Sequence, residues 1–566
     1  MFTSMMRLFR PRGLTGHDTD SERGILLGGV GWTVVRIIAC VIIAASIVGT
    51  FTASSVLDDS YMFARYADNL LNGRGISFNP GFSPTYGLTS PGYLIVVIPF
   101  RLFVRHSPPL AMLFSSLCSG LAFLAITAML IRLVGRSIDA RWRQILSLVV
   151  LAALAHAASD LSVHFVSGMD TMFGLAYIGL YLVIITLFEK TPSLRNTFAA
   201  GILGGAAFWI RPDLLLYTVG IPAAIALFSK DPRTRINSCV ALAFTVAFTG
   251  LILIANVHYF GSALPLPFYA KTLHLYGQTI EAVYRYEGLI QLHRYVASYA
   301  ILLSIVVIAA ASGRKAWWES LSGVGKGALV STVLFMVFYC CFVLQIMPQS
   351  QRFYYPSLPG ILLVTFESIR YFARMHDPEF TQSSRFRRTA VFVLFAFYVT
   401  LPSAIWNLDR LSIAPGIWAK GFQLVDEYRD TWSGYWFCLD KFSALPDDAV
   451  FAATEVGYPI GMNPRKCVID LTGLNETTIA HEKFSADIFF SVYQPDVIFM
   501  PHVHYAEMTA NILADPFFRT NYDFYSPQIT GTELGISIKR TSKYYRRMKD
   551  IVERNAVGGV LSGRRD

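Results

Sequence analysis

Charge is scarce in this 566-residue sequence: Asp, Glu, Lys and Arg make up 15% of it, against 54% hydrophobic residues. Soluble domains carry nearer to about 25% charge, so a string of soluble domains is excluded and lipid becomes part of the solvent. Cysteine is scarce as well. Cys40, Cys118, Cys239, Cys340 and Cys341 fall in apolar stretches and only Cys438 and Cys467 lie in the polar C-terminal part, which leaves no zinc-ligand spacing. Those two are chemically able to pair if that part lies outside the cytoplasm. There is no glycine-rich phosphate loop: Glu455-Val456-Gly457 and Thr472-Gly473-Leu474 are isolated glycine turns, which argues against nucleotide binding there. No repeat of solenoid period occurs. The first apolar run, Gly31 to Phe51, lacks a small-residue cleavage site and reads as a retained helix rather than a signal peptide. The net charge of +10 forms no nucleic-acid-binding stripe, because Lys and Arg lie in short clusters between apolar runs, the pattern that orients membrane proteins.

What the sequence does have is a series of apolar runs of about 15 to 25 residues, long enough to cross a hydrocarbon core of about 30 Å. They read as helices, since lipid cannot satisfy open backbone groups. About eleven spans are expected, at 33–53, 110–133, 145–159, 172–188, 197–210, 214–228, 237–257, 291–312, 327–346, 357–373 and 389–406. With an N-terminal segment 1–32 in the cytoplasm, the clusters Arg136/Arg141/Arg143, Lys190/Arg195, Lys230/Arg233/Arg235, Arg314/Lys315 and Arg370/Arg374/Arg385/Arg387/Arg388 all fall inside. That alternation requires Pro91 to Val104, a short apolar stretch interrupted by Pro99, to lie re-entrant or interfacial on the outer side. The expected fold class is therefore a polytopic α-helical membrane protein. Its membrane part covers 33–406 with a first outer loop at 54–109, and 407–566 forms an extracytoplasmic α/β domain with strand candidates Ala449 to Thr454, Cys467 to Leu471 and Val497 to Met500.

Asp58 and Asp59 directly follow the first run. Two adjacent carboxylates at a membrane surface cost desolvation and mutual repulsion, so a bound cation, a proton to abstract or a nearby basic group is expected beside them. The plainer reading is an N-cap for the helix that begins there. A helix starting near Asp59 sets Asp58 and Arg65 roughly on one face, and Asp59, Phe63 and Tyr66 on another. A turn-rich, non-helical path follows through Asn72-Gly73-Arg74-Gly75, Phe78-Asn79-Pro80-Gly81 and Tyr86-Gly87-Leu88-Thr89-Ser90-Pro91. Later outer loops offer Asp160, His164 and Asp170, then Trp209, Arg211 and Asp213, then His258, Tyr259, Tyr269, Lys271, Arg352, Tyr354 and Tyr355. Each is weak alone; convergence at one membrane face is what gives them weight. Arg211 and Arg352 suit a lipid phosphate through charge-assisted hydrogen bonds, with snorkelling anchors as the plainer alternative. His164 has no histidine at i+4 and is no metal motif.

These stretches, together with Ser167-Gly168-Met169-Asp170-Thr171, Arg211-Pro212-Asp213, Tyr259-Phe260-Gly261 through Phe268-Tyr269-Ala270-Lys271, Arg352-Phe353-Tyr354-Tyr355-Pro356 and Val468-Ile469-Asp470-Leu471-Thr472-Gly473-Leu474-Asn475, run in an order that resembles the GT-C superfamily of membrane glycosyltransferases. Within it the sequence is most similar to actinobacterial terminal arabinofuranosyltransferases and their bacterial relatives. The resemblance implies an inverting transfer of a sugar, arabinofuranose favoured, from a polyprenyl-phosphate donor to a cell-envelope glycan or glycolipid, outside a bacterial cytoplasmic membrane. It implies Asp58 or Asp59 as general base, with Arg211, Arg352, Lys271 and Arg65 for the donor phosphate. Tyr61, Tyr66, Tyr86, His164, Asp170, Asp213, His258, Tyr269 and Tyr354 are then the expected substrate contacts. A divalent metal fits the chemistry, since some members use one and carboxylates from two loops suit it. Relatives often carry Glu where this sequence has Asp170 and Asp213, and a Glu-Gly-Tyr turn where it has Pro84-Thr85-Tyr86-Gly87, which leaves donor and acceptor preference open. A mannose-type hexose transferase stays open, as does a lipid or glycolipid flippase, although the latter calls for repeated halves or broken mid-membrane helices carrying ionisable residues.

Overall fold

A computed structural model describes residues 29–53, 57–81, 83–136, 138–272, 278–345, 349–375, 441–501, 503–526 and 535–562. Helices dominate up to residue 375 and all five strands come after residue 449. Among the described residues four helices are long and apolar enough to cross a membrane: Pro108–Gly135, Thr171–Lys190, Pro232–Phe260 and Gly323–Cys341. The number rises to six if two bent pairs each count as one span. This makes the chain a helical membrane protein; the described residues alone do not account for all eleven spans expected. The run expected as one span at 291–312 is broken at Tyr299, where Glu281–Ser298 and Ala300–Ser312 meet at 77°, and Trp142–His156 meets Asp160–Val166 at 79°. Leu194–Ile210 and Leu358–Arg374, at 17 residues each, and Leu215–Phe228, at 14, fall short of the roughly 20 residues a full crossing takes. The stretch 389–406 lies outside the described residues, as does Cys438; Cys467 is a free cysteine.

Local chemistry explains where these helices start and how closely they pack. Asp231 accepts from the N–H groups of Arg233 and Thr234 ahead of Pro232 at the first helical position, and Gly261 in the left-handed region ends the same helix. Leu194–Ile210 lies against it through glycines: a Cβ at Gly204 would sit 2.3 Å from Thr245 Oγ1, so only a hydrogen lets the two backbones approach. The Gly323–Cys341 helix starts on two carboxylates, Glu189 accepting from Gly323 N at 2.6 Å and Glu367 from Ser322 N at 2.8 Å, which meets unpaired amides and opposes the positive end of the helix dipole.

The segment Pro91–Phe103 is a short helical piece, a single 3-10 turn leading into Leu94–Phe103 with Pro99 inside, and Ile95, Leu102 and Phe103 are exposed. Before it, the helix Ser60–Leu71 and a loop with left-handed glycines at 73, 75 and 81 make up the segment expected as the first outer loop.

The C-terminal strands are β1 (Val450–Ala453), β2 (Cys467–Asp470), β3 (Val497–Phe499), β4 (Tyr522–Tyr525) and β5 (Ile536–Lys539), ordered β2-β1-β3-β5-β4. β1 pairs in parallel with β2 and β3, while β5 runs antiparallel to β3 and β4. The first outer loop is bonded to this sheet. Asn79 donates to Val468 O and accepts from Val468 N, both at 2.9 Å, so its side-chain amide imitates a neighbouring strand on the free edge of β2. Tyr66, fully buried, accepts from Gly87 N at 3.2 Å and donates to Asn475 Oδ1 at 3.0 Å.

Candidate active site

Leu57 N donates to Ser167 O at 3.0 Å, which ties the end of the first apolar run to the turn before Thr171–Lys190 and sets Asp58 and Asp59 at the entrance of the Ser60–Leu71 helix. Asp59 holds the N-cap position yet makes no side-chain cap bond. Its Oδ2 meets Arg352 Nη1 at 3.1 Å instead. The plainer capping reading therefore does not describe its side chain. Asp58 Oδ2 accepts from Gly457 N at 3.2 Å, a contact with the turn that leaves β1. The approach needs glycine, since a Cβ at Gly457 would lie 2.1 Å from Asp58 O.

Arg352 is held by a strained loop. Ser350 and Gln351 both have positive φ, at 48° and 57°, a conformation that costs non-glycine residues about 1 kcal/mol or more. His164 contributes to holding it: its Nε2 hydrogen-bonds Ser350 O at 2.8 Å and its ring lies 4.4 Å from that of Tyr355. His164 thus supports the loop behind Arg352.

Lys271, half-buried at the end of Leu266–Thr272, lies within electrostatic reach of Arg352, Asp59 and Arg211. Burial pulls its ammonium down to about 8, the two arginines add to that, and Asp59 opposes it. Arg211 forms a fork to Asp213, Nε to Oδ1 at 3.2 Å and Nη2 to Oδ2 at 3.0 Å. Tyr339 closes the group, accepting from Arg211 Nη2 at 3.0 Å and donating to Asp213 Oδ2 at 2.5 Å. Asp170 acts on the same guanidinium electrostatically. Asp59, Arg352, Lys271, Arg211, Asp213 and Asp170 thus form one electrostatically linked group.

Other expected site residues stand elsewhere. The Arg65 guanidinium is buried and committed to acceptors: Nε to Phe78 O at 2.8 Å, Nη1 to Asn463 O at 3.0 Å, and Nη2 to Lys466 O and Asn79 Oδ1. It joins the outer loop to the C-terminal unit and is not presented to a phosphate. Tyr66 is the pin described above. Tyr61 packs on Gly461 at the same seam, and buried Tyr86 stacks on Phe260 with ring centres 4.7 Å apart. Tyr354 is fully buried, donating to Gly288 O at 3.0 Å and accepting from Gln345 at 2.6 Å. Tyr269 lies 4.4 Å from the His481 ring. His258 is exposed and lines a surface depression with Leu253, Ile254, Val257 and Ala263.

Sequence reasoning missed Tyr339, hidden in an apolar run, and Glu455, dismissed as part of a glycine turn. Glu455 sits just past the carboxyl end of β1, within electrostatic reach of Asp58, Asp59 and Asp470. Burial pushes its carboxyl up to about 8, and those neighbouring carboxyls push the same way. Asp470, buried at the end of β2, is also raised by burial, although it accepts from Thr472 N, Asn475 N and Asn475 Nδ2, each at 2.9 Å. Among the described residues no group of three or more His, Cys, Asp or Glu is placed to hold a metal ion.

No protein-family description matches the sequence, and no curated protein matches it. Solved structures that resemble the fold include these three. ArnT from Cupriavidus metallidurans in the apo state is 12% identical with a TM-score of 0.48, over 90% of this chain and 98% of that one. The same enzyme bound to undecaprenyl phosphate is 12% identical at 0.47, over 91% and 99%. The Archaeoglobus fulgidus oligosaccharyltransferase in complex with Zn and sulfate is 11% identical at 0.48, over 87% and 72%. Likenesses this distant do not assign chemistry, which has to come from the side chains themselves.

Proposed function

We propose that this membrane protein is an inverting glycosyltransferase that moves a sugar, arabinofuranose favoured, from a polyprenyl-phosphate donor to a cell-envelope glycan or glycolipid on the extracytoplasmic face. The observation that carries the reading is the Asp59–Arg352 pair at 3.1 Å, with Lys271 in electrostatic reach of that pair and of Arg211, at the outlet of the first apolar run. A carboxylate and a set of cations side by side are what such a transfer needs: one group to take a proton, the others to hold the leaving phosphate.

In this reading the lipid tail stays among the apolar helices while Arg352, Lys271 and Arg211 face the phosphate. The acceptor hydroxyl attacks the anomeric carbon from the side opposite the phosphate. As the new C–O bond forms, the bond to the phosphate oxygen breaks, the hydroxyl proton passes to Asp59 or Asp58, and polyprenyl phosphate leaves with the electron pair. No strong acid is required, because phosphate is already a good leaving group. The first outer loop and the C-terminal sheet, bonded to one another, share the outer side, and residues 1–32 lie in the cytoplasm.

The test is purified protein in lipid nanodiscs supplied with radiolabelled polyprenyl-phosphate arabinofuranose and, in parallel, the mannose analogue, with release of polyprenyl phosphate as the readout. Asp59→Asn is expected to lower kcat by about 100-fold or more, the usual worth of a general base. Full activity in Asp58→Asn, Asp59→Asn and the double variant removes the base assignment. A missing arabinose in the envelope glycans of a deletion strain, read by mass spectrometry, would identify donor and acceptor together.

A further inference from the structure

The parallel part of the C-terminal sheet has a switch point. From β1 the chain crosses to β2 on one side and then to β3 on the other, so the loops leaving β1 and β3 diverge at their carboxyl ends, the place where open α/β sheets bind ligands. Here that place is not turned to solvent. The turn leaving β1, Thr454-Glu455-Val456-Gly457, runs directly onto Asp58, with Gly457 N as the donor and no room for a side chain at Gly457. Beyond β3, His504 Nδ1 hydrogen-bonds Tyr284 of Gln278–Ser298 at 2.9 Å, and Tyr284 is itself in electrostatic reach of Glu455. Both sides of the switch point thus abut the membrane unit.

Glu455 therefore faces Asp58 and Asp59 from the first outer loop, Asp470 from the end of β2 and Tyr284 from the neighbouring helix. Arg352 is bound to Asp59, and Lys271 is in reach of that pair. A third ionised carboxylate there would repel the first two and compete for their cations. We propose that Glu455 is a positioning residue: as a neutral carboxylic acid fixed at the carboxyl end of β1, it keeps the Asp58–Asp59 pair ionised and ready to take the acceptor's proton. The C-terminal unit thereby completes the reaction centre. This rests on reading Asp58 and Asp59 as the base.

The experiment has two arms on the full-length protein. In the first, kcat/KM for polyprenyl-phosphate arabinofuranose is followed across pH in wild type, Glu455→Gln, Glu455→Ala and Glu455→Gln/Lys271→Arg. Ionisation of Glu455 above about pH 8 is expected to depress the wild-type rate. Glu455→Gln should lose one proton's steepness from the alkaline limb, and the double variant should lose the remainder contributed by Lys271. Glu455→Ala should lower kcat by about tenfold, and Gln, which keeps shape and neutrality, should recover most of it. An alkaline limb of unchanged steepness in Glu455→Gln overturns the proposal.

The second arm needs no turnover. Infrared difference spectra should show a protonated-carboxyl band at neutral pH that is missing from Glu455→Gln and moves in Asp59→Asn. Its absence from wild type overturns the proposal whatever the activity. A band that behaves as described in a protein that turns over no donor leaves Glu455 coupled to the pair and counts against the transferase reading instead.

Discussion

Lys271 is a cation on the edge of losing its charge. Burial and two neighbouring arginines disfavour its charged form, so its value is lowered to about 8; below that pH the ammonium is present, and above it the amine is neutral. If it holds the donor phosphate, affinity falls as pH rises through that value. Binding of undecaprenyl phosphate, followed by intrinsic fluorescence from about pH 7 to about pH 9.5, is expected to weaken by about tenfold, the worth of one charge-assisted contact. Lys271→Arg, which keeps its charge, should flatten the curve. Equal pH dependence in the two proteins would take Lys271 out of the phosphate site. The acidic pair was legible because adjacent carboxylates after an apolar run demand a partner, and Arg352 was already among the cations named. Glu455 was not legible, because its neighbours Asp58 and Asp59 are remote in sequence. The available signal was its place directly after a strand candidate of a parallel sheet. Arg65 and Tyr66 follow the aspartates on the next helix, and their heads turn toward Phe78, Asn463 and Asn475, contacts remote in sequence that the local pattern does not show.

The elements are joined by single polar side chains whose loss should be measurable. Asn79 is buried and satisfies both backbone groups of Val468. Asn79→Ala strands a buried N–H and a buried C=O and is expected to cost about 2 to 4 kcal/mol, seen as a lower thermal midpoint in detergent, with faster proteolysis between the outer loop and the sheet. An unchanged midpoint would mean that the loop docks by other contacts. Hydropathy located the helices well because apolar runs are contiguous. It is blind to the bends near 157–160 and at Tyr299.

On the scale of the whole molecule, the bonds from Asn79 and Tyr66 to the C-terminal unit require the first outer loop and the sheet to share one side of the bilayer, whichever side that is. In a background without native cysteines, a membrane-impermeant maleimide is expected to label Arg74→Cys and Lys483→Cys in intact cells and Lys230→Cys only after lysis. Labelling of position 230 in intact cells would invert the topology and move the proposed chemistry into the cytoplasm. The side-chain amide on β2 has one more consequence. An uncovered outer strand is a template for any passing extended segment, including the same strand of another molecule. With the rung at Val468 already taken by Asn79, that flank is closed to strand addition, so two such proteins crowded in a membrane cannot zip together along β2.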